Sequence, residues 1–519
     1  MIDDSISTSS RLRLSYATAI LIASSVTTFL LPLDYTVVAV ALRDIQRDLG
    51  SSFSDQQWVI NGYTMAFAAL LMAGGGMADI FGRRKVFLSG LTVFTLGSLM
   101  AGVAPSILLL NLGRIAQGLG AAGMFSSSLA LLVREFSGPK RAHAFAVFGV
   151  ASGLGAALGP FIGGLAVGLG GWRWAFLLNV PFGVAVLVLG ILRTRESKDP
   201  NATHLDLGGL ALFSAATLLF VYSIVTAPQI GWTNPVILSA LAVAAVLIVI
   251  FVFYELRRNY PLIDLRLFRN RTFVGATTVP LVLSFAFWGL FLYAPLYYQA
   301  VLGYSPLQAG LAMLPFAIPL FVAGPLGARL ARILSARALL ALGQLLVAVG
   351  ATLLALVPLG AGWQTFALGG LISGIGTGLV NGEMSNIAIS IVPADRSGMA
   401  SGINSTMRIV GMTAGFGGIG AVLAAAVTGS LSAAVGAIPT LTEHVDALAV
   451  TVAAGDISGA TSTVPSALHQ QFQQAAEMAF SSGMRTAYVV GAAVALCGAI
   501  LSFLLIDRHH RAPVEEPAE

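Results

Sequence analysis

The chain has 519 residues, of which 56% are hydrophobic and 10% charged, with a mean hydropathy of +0.86. That balance leaves too little polar surface to coat a water-soluble domain, so lipid is expected to be the solvent for most of the chain. The net charge of +5 and pI near 9.5 do not point to nucleic acid, because the basic residues stand at the ends of hydrophobic runs and not on a polar segment. The single cysteine, Cys497, excludes an intrachain disulfide.

Arg11 and Arg13 precede a first apolar run that is too long for a signal peptide and reads as a retained helix. A bilayer core takes about 20 apolar residues per helix. On that measure the spans fall near 15–42, 56–78, 85–104, 107–132, 142–168, 173–192, 207–226, 235–255, 272–301, 309–330, 337–357, 363–391, 398–427 and 484–506, fourteen in all. Unbroken runs such as 236–254 are helical in length, whereas a membrane β-barrel would show alternating segments of about 10 residues. The expected fold is therefore an all-α polytopic membrane protein.

An even number of spans puts both termini on one side. With that side cytoplasmic, most of the 28 Lys and Arg fall in inner loops, and only Arg43, Arg47, Arg173 and Arg485 fall outside. A miscounted span would invert every later loop and destroy the bias. The longest outer loop, 428–483, is rich in Ala, Ser and Thr and is expected to be mobile, with its acidic and histidine side chains solvated.

The sequence also repeats. Ser54-Asp55-Gln56-Gln57-Trp58 opens the second span, which reaches Gly74, Gly75 and Gly76 before a basic loop. Ser305-Pro306-Leu307-Gln308-Ala309 opens the tenth, which reaches Gly324 and Gly327 before Arg329, Arg332 and Arg337. Two six-helix halves, 1–206 and 272–519, are expected to flank an insert, 207–271, whose two helices read as a structural spacer. Parallel six-helix repeats build transporters in which a site between the halves is exposed to each side in turn.

Several motifs follow the same order. After the second span comes Gly75-Gly76-Met77-Ala78-Asp79-Ile80-Phe81-Gly82-Arg83-Arg84-Lys85, in which glycines allow close approach and a tight turn, and Asp79 sits at a helix end. The fifth span holds Gly155-Ala156-Ala157-Leu158-Gly159-Pro160-Phe161-Ile162-Gly163-Gly164, a proline-broken glycine face suited to a bendable contact. The first span holds Leu33-Asp34-Tyr35-Thr36-Val37-Val38. Together these segments resemble the major facilitator superfamily, and within it the fourteen-helix drug:proton antiporters. The resemblance covers essentially the whole chain. It implies a gate at Gly75, Asp79, Gly82, Arg83 and Arg84, and an exporter-type helix at Gly155, Gly159, Pro160, Gly163 and Gly164. Two positions depart from the pattern: Ile80 stands where a basic residue is common, and Arg43 where proline is usual.

Ionisable groups inside a span cost about 2.5–3.5 kcal/mol each on insertion scales and mark pathways or proton relays by default. Four qualify: Asp34, Arg114, Glu383 and Arg408. Equal depth is expected to pair Asp34 with Arg114, about 10–12 Å below the outer surface, and Glu383 with Arg408 in the other half. Arg408 also matches a recurrent Asn-xxx-Arg segment of the family, here Asn404 to Arg408. In the ninth span Phe285, Phe287, Trp288, Phe291, Tyr293, Tyr297 and Tyr298 suit an apolar or cationic ligand, but lipid contact is the plainer expectation.

No metal-ligand spacing, catalytic cluster or phosphate-binding Gly-xxxx-Gly-Lys-Ser/Thr segment is found, so an enzyme, a metal, a cofactor and direct ATP use are not expected. The expected activity is secondary export of a small amphipathic organic compound, cations included, by a monomer in the cell membrane, driven by protons. A lipid or glycolipid exporter on the same fold is the alternative.

Overall fold

The computed structural model describes residues 15–198, 206–258, 261–358, 361–392, 397–435, 441 and 444–507. The first half contains α1 (Tyr16–Leu49), α2 (Phe53–Phe81), α3 (Arg83–Gly102), α4 (Ile107–Glu135), α5 (Gly138–Gly170), the short α6 (Trp174–Leu177) and α7 (Asn179–Arg193). The insert is the hairpin α8 (Leu207–Ile230) and α9 (Pro235–Leu256). The second half contains α10 (Arg271–Ala300), α11 (Pro306–Ala312), α12 (Leu314–Leu330), α13 (Ala336–Ala355), α14 (Trp363–Ser390), α15 (Ser397–Val435), two short helices α16 (Val445–Ala453) and α17 (Ile457–Ser462), and α18 (His469–Leu505).

Among the described residues eleven helices are long and apolar enough to cross a membrane, and the pair α11 and α12, bent by 40° at its break, makes a twelfth. Helices α2 and α14 lie outside that count. At 29 and 28 residues and about 1.5 Å per residue they exceed a hydrocarbon core of about 30 Å. With them the series reaches the expected fourteen. Local chemistry sets the ends. The Ser52 hydroxyl accepts from the backbone N–H of Asp55 while the Asp55 carboxylate accepts from the backbone N–H of Ser52, a capping box that starts α2. Ser305 and Gln308 repeat it at α11.

Three expectations are corrected. The stretch 428–483 is not one long loop: α15 runs on to Val435, α16 and α17 fold within it, and α18 starts at His469. Its apolar residues make the difference, since Ala449, Val452 and Ala454 are fully buried against the second half, and Asp456 caps α17 by accepting from Gly459. The first span likewise extends to Leu49, so Asp34 lies near the middle of α1 and not near its outer end. Helix α10 is the buried axis of the second half; Phe287, Trp288, Phe291, Tyr293, Tyr297 and Tyr298 are all covered, and none of these rings faces lipid. In the inserted hairpin, α8 packs against both α2 and α15, one helix of each half. Trp58 of α2 meets Tyr222 of α8 with ring centroids 6.1 Å apart.

Candidate functional site

The first half folds around a buried charge cluster. Glycines on α3 and α4 let the two backbones touch: a side chain at Gly97 would press on the Gln117 backbone, and one at Gly113 on Ala101. That approach brings Gln117 within 2.6 Å of the Ser98 hydroxyl. Gln117 Nε2 then donates to Asp34 Oδ1 at 2.9 Å, and Asn179 Nδ2, at the start of α7, donates to the same oxygen at 2.7 Å. Arg114 closes the other side. Its Nη1 pairs with Asp34 Oδ2 and reaches Gln117 Oε1 at 2.8 Å, and its Nε donates to the Val59 carbonyl at 2.6 Å.

The guanidinium carbon also lies 4.6 Å from the Tyr63 ring centre and 5.6 Å from that of Phe176. Asp34, Arg114 and Gln117 are 0% exposed. A carboxylate with an Arg partner and two amide donors is well satisfied as an anion. Gln117 and Asn179 stand in segments that carry the family resemblance, but the sequence gives them no role, since a neutral amide in a span gives no charge signal.

Glu383 and Arg408 are not brought together: among the described residues no ion pair joins them. Asn386 donates to Glu383 at 3.4 Å. Tyr35 of α1 lies near Arg408, across the division between the halves. The Tyr35 ring stands edge-on to Trp288 of α10, with centroids 5.4 Å apart.

The gate segment forms the α2–α3 turn. Gly82 has φ +114°, a conformation side chains rarely adopt. Arg84 donates through Nε to Thr194 Oγ1 at 3.1 Å and through Nη2 to the Ile191 carbonyl at 2.9 Å, and Arg83 N donates to Ser197 O at 2.8 Å. Glu196 completes the turn, accepting from the backbone of Arg84 at 3.1 Å and Lys85 at 3.2 Å. It is a carboxylate at a helix N-terminus, where the dipole favours it. Sequence reading passed over Glu196, although an acid inside a basic loop was the available signal. Asp79 lies on α2 and its side chain falls outside the described residues. Gly75 meets open space; the close approach is made by Gly74, whose Cβ would strike Ser126 and Ala122.

The glycine face of α5 serves two neighbours. Side chains at Gly155, Gly159 and Gly163 would collide with Phe29, Thr36 and Val37 of α1. Gly164 instead abuts Pro306, and the Pro160 carbonyl abuts Gly310, both on α11 of the other half. Helix α5 is thus held between the Asp34 helix and the opposite half.

At the end of the bundle where α1 finishes and α2 begins, the halves are tied together. Arg43 donates to the Gln299 carbonyl, and Gln299 Nε2 returns a bond to Val40 O at 3.1 Å. Arg47 meets Asp456 at 3.4 Å and Ser458 at 2.5 Å. Gln56 donates to Ala454 O at 3.3 Å, and Gln57 to the Tyr293 hydroxyl at 3.3 Å, which in turn donates to Phe416 O at 2.7 Å. Arg43, the departure from the family pattern, is therefore a tie between halves.

Two helical halves meeting around buried charge and glycine contacts define a polytopic membrane transporter scaffold. Solved structures share it: the chain aligns with a bacterial homolog of the human lysosomal transporter Spinster at a TM-score of 0.64 and 18% identity, covering 94% of this chain and 97% of that one. The profile of the Major Facilitator Superfamily matches residues 24–416 and 280–519. The chain is 37% identical over 420 residues to the multidrug resistance protein Stp of Mycobacterium tuberculosis, spanning 79% of this chain and 76% of that protein. It is 31% identical over 504 residues to the tetracenomycin C resistance and export protein of Streptomyces glaucescens, spanning 96% and 93%. This protein belongs to the Major Facilitator Superfamily, and it is a multi-pass membrane transporter, not an enzyme.

Proposed function

We propose that the protein exports drug-like amphipathic compounds in exchange for protons, with both termini cytoplasmic. The observation that carries this reading is the sealed Asp34 cluster, a titratable carboxylate held between an Arg that stays charged and two amides. Relatives named for multidrug resistance and tetracenomycin C export support the substrate class, and the arginine bias of the expected inner loops supports the orientation.

The ties from Arg43, Arg47, Gln56 and Gln57 close one end of the bundle, the outer end in this reading. Protonation of Asp34 from outside releases Arg114, α1 shifts against the α5 glycines, and the halves rock. Return of the proton to the cytoplasm accompanies capture of the next substrate. Asp79 and Arg84 govern the inner gate in this cycle, and Gly159 and Pro160 form the sliding contact. The buried α10 rings, with Trp288 against Tyr35, supply an aromatic wall for the substrate.

The test is efflux of a fluorescent dye, an antibiotic and a labelled lipid from vesicles holding the purified protein under an imposed pH gradient. Dye or antibiotic movement that follows the gradient is expected. Movement of the lipid alone would transfer the fold to lipid export.

A further inference from the structure

The base of the inserted hairpin carries a second pair of carboxyl groups that transport through Asp34 does not use. Asp206 starts α8 as its cap, with Oδ1 accepting from Gly209 N at 2.9 Å. Glu255 ends α9, is 3% exposed, and accepts through Oε2 from Ile263 N at 3.3 Å. Their remaining oxygens, Asp206 Oδ2 and Glu255 Oε1, are both buried, and neither has a hydrogen-bond donor among the described residues.

Both oxygens converge on one spot above Gly209. A Cβ placed there would lie 2.9 Å from Asp206 Oδ2 and would collide with Glu255 Oε1, so the absent side chain leaves room for them to meet. The two carboxyl groups thus face each other across that spot, with nothing of Gly209 between them. Two carboxylates are acceptors only, and a hydrogen bond between them requires that one hold a proton. Two adjacent buried anions are strongly disfavoured, and such a pair titrates as a unit.

Among the described residues the surrounding groups supply no substitute for that proton. On α9, Arg258 directs Nε and Nη2 to the Tyr254 hydroxyl and interacts with Asp206 and Glu255 only at longer range. In the segment that follows, Asp264 caps the turn Leu265–Arg269 by accepting from Arg266 at 3.0 Å, and its backbone N–H points to Met399 Sδ of α15 at 3.3 Å. Leu262 and Ile263 offer Glu255 backbone bonds.

We propose that Asp206 and Glu255 share one proton, forming a second proton-binding site at the base of the α8–α9 hairpin, distinct from Asp34. The site fastens the hairpin to the segment that leads into α10. There Phe213, Phe251 and Ile263 pack with Phe273, Ala400 and Ile403 of the second half. Loss of the proton leaves two like charges facing each other and loosens that seam.

The test is pH-difference infrared spectroscopy on the purified full chain in lipid nanodiscs, comparing the wild type with Glu255→Gln and, as a second variant, Asp206→Asn. Each amide supplies the missing donor to the remaining carboxylate, and Asn preserves a good helix cap, so both variants are expected to fold. The wild type should show a protonated-carboxyl carbonyl band at neutral pH that fades on raising the pH, and this band should be lost in both variants. A band that survives either substitution, or its absence from the wild type, would overturn the shared proton. Transport is not the readout, so failure here leaves the Asp34 proposal standing.

Discussion

The two halves treat their buried charges differently. In the first, Asp34 and Arg114 meet inside one bundle with Gln117 and Asn179 completing the shell. In the second, no ion pair joins Glu383 and Arg408 among the described residues, and Tyr35 of the opposite half lies near Arg408. Register explains the difference. Asn404 donates to Met384 O at 3.1 Å, which sets α15 against α14 so that Glu383 sits level with Asn404. Arg408 is then one turn, about 6 Å, further along its helix. The two charges therefore differ in depth by about one turn, although Asn404 and Arg408, four residues apart, share a helix face.

The largest effect should come from breaking the paired half. Arg114→Ala leaves Asp34 buried without its cation, a loss of about 3–5 kcal/mol, read as a large fall in thermal stability of the purified protein. Arg408→Ala removes no ion pair, and its melting temperature should stay near that of the wild type; an equal fall in both variants would erase the contrast. The α5 contact comes next. Gly159→Leu collides with Thr36 and should stall efflux with the protein still in the membrane, whereas Gly75→Ala meets open space and should transport normally. Normal efflux by Gly159→Leu would show that the contact does not move.

Smaller still is the cap at the gate. Glu196→Gln keeps the shape but weakens the anion at the α3 N-terminus, by about 0.3–1 kcal/mol, measurable as faster amide exchange at Arg84 and Lys85. Unchanged exchange there would leave Arg84 as the main tie of that turn.

Much of this architecture was legible in the sequence because lipid imposes a length and a charge rule on every span. The Asp34–Arg114 pair was legible for the same reason, since a charge in a span is conspicuous. Gln117, Asn179 and Glu196 were not, because neutral amides and loop acids look ordinary until packing aims them. The helices within 428–483 were hidden by small residues whose burial depends on α10 and α15, and the depth of Asp34 was misjudged because α1 continues past the membrane-length run to Leu49.

The most direct test of the account is Asp34→Asn, which keeps the hydrogen-bonding shape while fixing the site in a neutral state. In inverted vesicles with an imposed pH gradient, and with insertion checked in parallel, the account predicts that gradient-driven dye efflux is abolished while dye binding persists. Efflux that stays fully coupled to the gradient would contradict it and move the proton site to Glu383.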